Sequence, residues 1–426
     1  MAVIGIIGLG YVGITTAVGM ARLGHKVVGY DVNQERVQTL SMGKAPIHEV
    51  GLEDELAHLL QAGSLEFTGS LERLADAQPE FFFICVPTPQ DASGAANLSF
   101  VLASAADLSR IAPSGSVVII KSTVPVGSGE RVIKALARDN VYVASNPEFL
   151  REGRALYDFM NPDRIVAGAL SQEVANRVLE LYNGISCEKI STSIESAELV
   201  KYSTNAYLAM RLSFVNDLAA LCERVGADVD DVTRGLGSDS RIGTSFLSPG
   251  PGWGGSCFPK DTRALVSVAS DYGVDLPLID AALLSNEASL SRVVDTLKDL
   301  CEGGLEGKVV AVWGLAFKAG TDDIRDSPAV NIVKRLLDRG AKVRVFDPVA
   351  VAPSLSGLTQ VSTAIEAAAG ADVLAVLTEW PEFALVSPEK VASMMTSAVA
   401  FDGRRILPAS WKQTMKNMRV LGDSIR

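Results

Sequence analysis

Histidine is scarce in this chain, which has only three in 426 residues: His25, His48 and His58. None of them is spaced from another in the way that zinc ligands usually are. This scarcity argues against a zinc site and against chemistry that relies on a histidine acid or base. We therefore expect no metal site.

Cysteine is also rare. The five cysteines are an odd number and are widely spaced, which argues against a disulfide framework and favours free thiols. The apolar first residues lack a basic leader and run directly into a glycine-rich turn at Gly8, so we interpret them as a buried strand and not as a signal peptide. These features predict a cytoplasmic protein.

The chain also lacks an excess of positive charge and any long apolar run. Its 39 Lys and Arg residues are outnumbered by 50 Asp and Glu residues, which gives a net charge of −11. This balance disfavours binding to nucleic acid, and no run approaches the ~20 apolar residues that span a bilayer. We expect neither a nucleic-acid partner nor membrane insertion. A few local N–H groups still suffice to bind the phosphates of a small ligand.

Short apolar runs alternate with helix-like stretches in the first part of the chain. This alternation predicts a parallel sheet that is covered by helices on both faces. The first helix is expected over residues 14–23. The predicted strands are Val3–Ile7, Lys26–Tyr30 and residues 81–86, 117–121 and 141–144.

A long helix is predicted over residues 195–225. No proline or glycine interrupts this stretch, and apolar residues recur in it at steps of three and four. A helix of this kind commonly forms the spine of a domain, and it is a candidate subunit interface. The recurring apolar residues are Tyr207, Met210, Phe214, Leu218 and Leu221.

A second α/β pattern begins near Gly307, with a helix predicted after Ser327. The two ends of the chain look alike, because each has a strand, a turn, a helix and a second strand that ends at an aspartate. We predict an α/β fold with two Rossmann-like doubly wound domains joined by a long central helix, and with boundaries at 1–194, 195–302 and 303–426. The strands predicted in the second pattern are residues 308–313, Lys342–Phe346, 371–377 and 399–401.

The stretch from Gly8 to Gly13 matches the pattern G-x-G-x-x-G. Glycines permit a tight turn and a close approach to a pyrophosphate, and the next helix directs its N-terminus at the phosphates. The pattern is weak evidence alone, but here it lies between a predicted strand and helix, and the following strand ends at Asp31. An acid there binds ribose hydroxyls and repels a 2′-phosphate, which favours NAD over NADP. The turn residues expected at the cofactor are Gly8, Gly10, Tyr11, Val12 and Gly13.

Cys257 differs from the other cysteines because it lies in a glycine loop and is followed closely by Lys260 and Asp261. Glycines admit a substrate to the backbone, and a nearby lysine favours a thiolate. We therefore predict that Cys257 is a nucleophile. A single cysteine is more often a small buried apolar residue. We assign that structural role to Cys85, Cys187, Cys222 and Cys301.

Several polar residues indicate a functional site only when they are considered together. Lys201 and Asn205 are four residues apart on the predicted long helix, so they share one face. Glu148 and Glu152 lie in a loop-like stretch. Each of these residues alone would be interpreted as a solvated surface group.

Together, these motifs resemble the UDP-glucose/GDP-mannose dehydrogenase family. The resemblance follows the same order along nearly the whole chain, and the block around Cys257 is its most specific part. The matching segments are residues 8–13, 86–89, 121–125, 146–153, 161–164, 201–205, 240–243, 254–261, 314–318 and 402–405.

This resemblance implies a reaction in which a sugar alcohol becomes a carboxylate through two hydride transfers, with the sugar held on Cys257 as a thiohemiacetal and then as a thioester. Glu148 is the implied acid/base of thioester hydrolysis, with Thr123 near the attacking water. The resemblance also implies a homodimer in which Arg241 reaches the neighbouring subunit's sugar site. The other implied catalytic residues are Lys201, Asn205 and Asp261.

The implied binding residues form two sets, one for NAD and one for a nucleotide sugar. Beyond the glycine-rich turn, the cofactor set is Asp31, Arg36, Thr88, Ser122, Thr123, Glu152, Lys260 and Arg325. The substrate set is Glu148, Phe149, Leu150, Arg151, Glu152, Lys201, Asn205, Arg241, Phe246, Ser248, Gly252, Trp253, Gly254, Phe258, Phe317, Lys318 and Arg404.

The chain departs from the family at Trp253, where Phe is usual, and at Asn97, where Asp is common. Residues 317–323 resemble the GDP-mannose branch, whereas residues 240–243, Phe258 and residues 402–405 resemble the UDP-glucose branch. We give the latter more weight and expect UDP-glucose as substrate. The alternatives are the same chemistry on GDP-mannose or a UDP-N-acetylhexosamine, a two-electron hydroxyacid dehydrogenase, and an inactive nucleotide-sugar sensor.

Overall fold

The computed structural model describes residues 1–47, 49–90 and 96–424, so that His48 lies outside the described part. The chain divides into two compact units. Unit 1 comprises Met1–Thr204 and Arg263–Val274, and unit 2 comprises Asn205–Thr262 and Asp275–Arg426. The three-domain boundaries given above stay a prediction.

Unit 1 is built on an eight-stranded sheet. Its strands are β1 (Val3–Ile7), β2 (Lys26–Tyr30), β3 (Leu65–Thr68), β4 (Phe81–Ile84), β5 (Val117–Ile120), β6 (Tyr142–Ser145), β7 (Arg164–Ala169) and β8 (Glu188–Thr192). Its helices are α1 (Tyr11–Arg22), α2 (Gln34–Ser41), α3 (Leu52–Gln61), α4 (Leu71–Asp76), α5 (Ser99–Ile111), α6 (Ser128–Leu136), α7 (Ala155–Met160) and α8 (Gln172–Glu180).

The strand order of this sheet is β3-β2-β1-β4-β5-β6-β7-β8. The first six strands follow the order of a dinucleotide-binding fold. Their pairings are parallel, as predicted, but β6 and β7 pair antiparallel. The chain therefore re-enters the sheet at the end where β6 left it, without the crossover that a parallel pairing needs. This keeps the segment after β6, which carries Glu148, at the carboxyl edge of the parallel strands.

The central strands β4 and β5 are buried on both faces. In β4, for example, Phe81 and Phe83 belong to one apolar cluster, whereas Phe82 and Ile84 belong to another. Such double burial explains why these two strands are apolar at every position and do not alternate with polar residues.

Two helices pass from one unit to the other: α9 (Ile194–Val225) and α11 (Phe258–Asp271). The long helix predicted over residues 195–225 is thus confirmed as α9, with 32 residues.

Unit 2 contains a six-stranded parallel sheet with the order β11-β10-β9-β12-β13-β14. Its strands are β9 (Val309–Trp313), β10 (Lys342–Phe346), β11 (Leu358–Gln360), β12 (Val373–Val376), β13 (Val399–Asp402) and β14 (Asn417–Val420). Its helices are α10 (Val229–Gly237), α12 (Pro277–Leu300), α13 (Pro328–Asp338), α14 (Ala364–Ala368), the 3-10 helix Pro381–Leu385, α15 (Pro388–Met394) and α16 (Ala409–Thr414). The predicted fold, with two Rossmann-like domains joined by a long helix, is confirmed.

The likeness of the two ends extends to single hydrogen bonds. Gly8 has φ +88° and donates its N–H to Tyr30 O at 2.8 Å, and Gly314 has φ +94° and donates to Phe346 O at 2.8 Å. The next N–H in each turn donates to the aspartate that follows the second strand, Asp31 or Asp347, at 2.7 Å in both. Each unit thus repeats one turn design at the carboxyl edge of its sheet.

Among the residues that the structure describes, no helix has the length and apolar character needed to cross a membrane. All five cysteines are free thiols.

Candidate active site

The glycine-rich turn of unit 1 connects β1 to α1. A Cβ at Gly13 would clash with the carbonyl oxygen of Gly8, so the turn closes only around glycine. A Cβ at Gly10, in contrast, would meet no atom within 4 Å. The backbone is therefore open at Gly10, and α1 has no acidic residue in its first turn. Both features fit the pyrophosphate of a dinucleotide at the start of this helix.

Asp31 is buried at the end of β2 and is held by three hydrogen bonds. It accepts from Leu9 N at 2.7 Å, from Asn33 N at 2.9 Å and from the Arg36 guanidinium at 3.0 Å. The structure thus brings Asp31 and Arg36, both predicted at the cofactor, into direct contact beside the turn. A carboxylate fixed in this position fits the two hydroxyls of a ribose.

Tyr11 and the loops that follow β4 and β5 bring further predicted residues together in unit 1. The Tyr11 hydroxyl donates to Glu49 and accepts from Gly153 N at 2.8 Å, which ties the turn to the segment that carries Glu152. Thr88 donates its hydroxyl to Thr123 O at 2.8 Å. Ser122 donates to Val86 O at 2.7 Å. These bonds hold the loops at the carboxyl edge of the sheet, where open α/β folds bind their ligands.

A buried ion pair joins Glu148 to α9. The Lys201 ammonium donates to Glu148 Oε1 at 2.8 Å, and Leu150 N donates to Oε2 at 2.5 Å. Burial by itself raises the pKa of the Glu148 carboxyl, but Lys201, the Leu150 N–H and the charge of Lys121 together bring that pKa below its usual value. Glu148 is therefore ionised at neutral pH and able to accept a proton.

Cys257 lies directly before the first residue of α11. Its carbonyl oxygen accepts the first helical hydrogen bond, from Asp261 N at 2.8 Å, so the thiol stands at the N-terminus of a 14-residue helix. The helix dipole favours a negative charge there and so favours a thiolate. Ser256 Oγ lies 3.5 Å from the Cys257 sulfur. The other cysteines differ, since burial raises the pKa of Cys85 to about 12 and that of Cys301 to about 11.

The same helix start presents Asp261, which is fully buried. Asp261 accepts from the Asn205 side-chain amide at 2.6 Å and also pairs with Lys260. Lys260 is predicted to favour the thiolate and to contact the cofactor, and these roles stay predictions. The helix N-terminus is a second feature that favours a thiolate at Cys257.

The loop before Cys257 packs so tightly within unit 2 that side chains are excluded. A Cβ at Gly254 would clash with Asp326 O, and one at Gly255 would lie 2.9 Å from the ring of Phe317. This places Phe317, a predicted substrate residue, directly against the loop that precedes Cys257.

Trp253 anchors the other end of this loop. Its indole N–H donates to Ser213 Oγ at 2.8 Å, and its backbone exchanges hydrogen bonds with the Asn286 side chain. The ring is buried, so the change from the usual Phe adds a hydrogen bond between the loop and α9.

Arg404 was predicted at the substrate, and its guanidinium is held by backbone oxygens. It donates to Leu377 O at 2.9 Å and to Phe317 O at 3.1 Å, and it lies 3.2 Å from Glu379. Lys318 stacks on the ring of Phe317, with its ammonium 5.5 Å from the centroid. Two basic groups and one aromatic ring therefore meet at the carboxyl edge of the second sheet.

The remaining predicted residues have these partners. In unit 1, Phe149 lies under the guanidinium of Arg164 at 4.1 Å, and Arg151 makes a bidentate pair with Asp158. In unit 2, Arg241 pairs with Asp239, Arg325 pairs with Asp323, and Phe246 contacts the ring of Phe258, with centroids 6.2 Å apart. Ser248 and Gly252 lie in the same loop as Trp253. Roles for these residues at the ligands stay predictions.

Two residues that matter to the site were missed from the sequence. Lys121, directly after β5, lies in the matching segment 121–125 but received no predicted role, although a lysine that ends a fully apolar strand is itself a signal. Tyr182, which contacts Lys121, follows a helix and gives no sequence signal at all.

The comparisons with known proteins agree with this arrangement. Residues 2–186, 195–288 and 311–409 match, in order, the models of the NAD binding domain, the central domain and the UDP binding domain of the UDP-glucose/GDP-mannose dehydrogenase family. The chain belongs to this family. It is accordingly an NAD-dependent oxidoreductase, as predicted.

Relatives within this dehydrogenase family cover nearly the whole chain. UDP-glucose 6-dehydrogenase of Rickettsia bellii is 39% identical over 414 residues, which are 95% of each chain. The structure of a UDP-glucose dehydrogenase from Pyrobaculum islandicum superimposes with a TM-score of 0.91 at 38% identity, covering 100% of this chain and 98% of that one. A UDP-D-ManNAc dehydrogenase from Pyrococcus horikoshii gives 0.87 at 29% identity, covering 99% of both.

Proposed function

We propose that the protein oxidises UDP-glucose to UDP-glucuronate and consumes two NAD per sugar. The observation that carries this proposal is the start of α11, where Cys257 stands at the helix N-terminus and Asp261 holds Asn205. An activated thiol is needed to retain an aldehyde between two oxidation steps, whereas a two-electron hydroxyacid dehydrogenase has no use for one. The names of the relatives support UDP-glucose over other nucleotide sugars.

In the proposed mechanism, two NAD molecules are used in turn, and each would accept one hydride. The Cys257 thiolate adds to the aldehyde carbon and gives a thiohemiacetal, and loss of the second hydride leaves a thioester. Lys201 and Asn205, one helical turn apart on α9, donate to the oxygen that carries negative charge in these steps. Asp261 accepts one N–H of the Asn205 amide and so orients the amide, which leaves its other N–H as the donor to that oxygen.

Hydrolysis of the thioester requires a base. Glu148 accepts a proton from water, the resulting oxygen nucleophile attacks the carbonyl carbon, and the Cys257 thiolate leaves. The carboxylic acid so formed releases its proton to solvent and becomes the carboxylate. The low pKa of Glu148 keeps it ionised for this task. Thr123 is proposed to hold the water. Phe317, Lys318 and Arg404 are proposed to hold the nucleotide of the substrate.

A screen of NADH formation tests this function. UDP-glucose, UDP-galactose, UDP-N-acetylglucosamine and GDP-mannose are each supplied with NAD, and NADH is measured by absorbance. UDP-glucose should give the highest kcat/KM and two NADH per sugar. A preference for GDP-mannose, or one NADH per sugar, would refute the proposal.

Asp31 should set the preference for NAD over NADP. An Asp31→Asn variant loses the charge that repels a 2′-phosphate and weakens the hydrogen bonds to the ribose, so kcat/KM for NAD should fall about 10- to 100-fold, which corresponds to a charged hydrogen bond. Asp347→Asn is the matched control, because Asp347 holds the equivalent position in unit 2. If both cofactors are used equally well by the unaltered enzyme, Asp31 does not contact the ribose.

We also propose a homodimer built on α9. Tyr207, Phe214 and Leu221 are all about half exposed on this helix, at 54%, 52% and 55%. Three large apolar side chains exposed along one helix face are typical of a subunit interface. The free thiols further support the proposed cytoplasmic location, where cysteines stay reduced.

A Phe214→Glu variant should therefore sediment as a monomer, because it places a charge within the apolar stripe. Leu385→Glu is a suitable control, since Leu385 is 85% exposed but lies on the 3-10 helix of unit 2. An unaltered protein that is monomeric and fully active would contradict the proposed dimer.

A further inference from the structure

Lys121 is a buried cation to which the mechanism above gives no role. It directly follows β5 and is only 4% exposed. Within residues 1–47, 49–90 and 96–424, no carboxylate lies within ion-pair distance of its ammonium. Instead the ammonium donates to Asn146 Oδ1 at 3.0 Å and to the Tyr182 hydroxyl at 3.2 Å. A buried lysine without an adjacent counter-ion costs stability, so its retention calls for an explanation.

The contacts of Lys121 converge on the segment that carries Glu148. Asn146, two residues before Glu148, also accepts from the Tyr182 hydroxyl at 2.5 Å and donates its amide to Val166 O at 2.7 Å. The Lys121 ammonium lies 5.6 Å from the ring centroid of Tyr182, which gives it a favourable aromatic face. Lys121 therefore fixes the backbone from which Glu148 projects.

The charges around Lys121 can be counted element by element. Glu148 follows β6, Lys201 lies on α9, Tyr182 follows α8 and Cys85 follows β4. Lys121 and Lys201 carry positive charge, Glu148 carries negative charge, and the thiol of Cys85 is neutral because burial raises its pKa to about 12. Two buried ammonium groups thus act on one buried carboxylate.

We propose that Lys121 is a positioning residue for this reaction, which holds Asn146 and supplies the second positive charge that keeps Glu148 ionised during thioester hydrolysis. The inference rests on the proposed function of Glu148. During the reaction Lys201 is expected to turn towards the oxygen of the reacting carbon and so to interact less with Glu148. If Lys201 were the sole cation near Glu148, the Glu148 carboxylate would then be protonated more readily. Lys121, which Asn146 and Tyr182 hold in place, supplies positive charge that does not move.

The charge of Lys121 is itself sensitive to pH. Burial lowers the pKa of Lys121 to about 8. A lysine whose folded pKa is below its unfolded value of about 10.4 makes the folded state gain stability as pH rises between these two values. The free energy of unfolding of the unaltered enzyme should therefore rise relative to that of Lys121→Met between about pH 8 and about pH 10.4.

The decisive measurement is the rate at which the covalent adduct on Cys257 decays. The enzyme, in excess over UDP-glucose and with NAD present, is quenched at short times and analysed by intact mass at a series of pH values. The decay rate should fall at low pH, where Glu148 is protonated, and this fall is called the acid limb. Loss of a positive charge near a carboxylate raises the carboxylate pKa, so the acid limb in Lys121→Met should move up by about one pH unit. Lys121→Arg should keep the original limb.

Two variants separate this electrostatic role from a purely structural one. Lys134→Met removes a lysine that is exposed and paired with Glu130, so it should leave the pH profile unchanged. Tyr182→Phe removes one contact of Lys121 but keeps its charge, so it should lower stability without moving the limb. If Lys121→Met does not fold, Lys121→Gln, which keeps an N–H donor, takes its place.

An acid limb that stays in place in the uncharged variants would overturn the inference about Lys121 alone. A limb that moves equally in Tyr182→Phe would also overturn it, because a structural role would then suffice. If the unaltered enzyme forms no adduct on Cys257 at any pH, both the proposed function and this inference fail.

Discussion

A Glu148→Gln variant is expected to release NADH in a rapid burst and then stop with the sugar bound to Cys257. The thiol, the cofactor turn and Asn205 are unchanged, so both oxidation steps remain possible. The base for water is lost, and removal of a positioned acid/base typically slows its step ~10²–10⁴-fold. Intact mass spectrometry after mixing with UDP-glucose and NAD should show the thioester adduct.

The burst also reports on folding in this variant. Replacing Glu148 with an uncharged residue breaks its buried ion pair with Lys201, and breaking such a pair typically costs ~3–5 kcal/mol of stability. A variant that does not fold would form no NADH at all. Glu130→Gln is the surface control, since Glu130 is exposed and pairs with Lys134 on α6. A burst without an adduct would place Glu148 outside the hydrolysis step.

A Cys257→Ser variant should lose steady-state turnover altogether. The hydroxyl matches the thiol in shape but is hardly ionised near neutral pH, so the N-terminus of α11 has no thiolate to stabilise. Any ester that does form has a poor leaving group and should hydrolyse slowly. We expect a loss that exceeds that of Glu148→Gln, because the nucleophile is needed before the second oxidation and not only after it.

NAD binding to Cys257→Ser should remain normal, since the cofactor turn lies in unit 1. Cys187→Ser is the matched control: Cys187 is likewise only partly buried, but it has no glycine loop and no helix start. Undiminished turnover in Cys257→Ser would mean that no thioester forms and that the chain is a simpler dehydrogenase.

Much of the fold follows from the sequence because most strands are short runs rich in apolar residues that are bounded by turns. Lys26–Tyr30 and Lys342–Phe346, for example, both begin and end as predicted. The first helix begins at Tyr11 and not at residue 14, because its first turn is part of the glycine motif. Strand β8 was not predicted, since Glu188–Thr192 is polar at most positions and lies outside the dinucleotide-binding order.

The candidate site, like the fold, could be predicted from the sequence only in part. The Gly8 turn, Asp31 and the Cys257 loop have short-range patterns, so their local geometry could be anticipated. The pairing of Lys201 with Glu148, 53 residues apart, and the contact between Lys121 and Tyr182, 61 residues apart, depend on how strands are ordered in the sheet. The start of α11 directly after Cys257 was also missed, because the sequence analysis placed Cys257 in a glycine loop and predicted no helix after it.

The spacing of the exposed residues on α9 has a geometric consequence. Tyr207, Phe214 and Leu221 follow one another at intervals of seven, the repeat with which two helices wrap around each other in a left-handed supercoil. When such a face meets its own copy across a twofold axis, each side chain occurs twice in the contact. Phe214 is the middle member of the three, so in an antiparallel pairing centred on it the two phenylalanine rings would face each other. One glutamate placed there would then confront a second glutamate, and mutual repulsion would be added to the loss of apolar area.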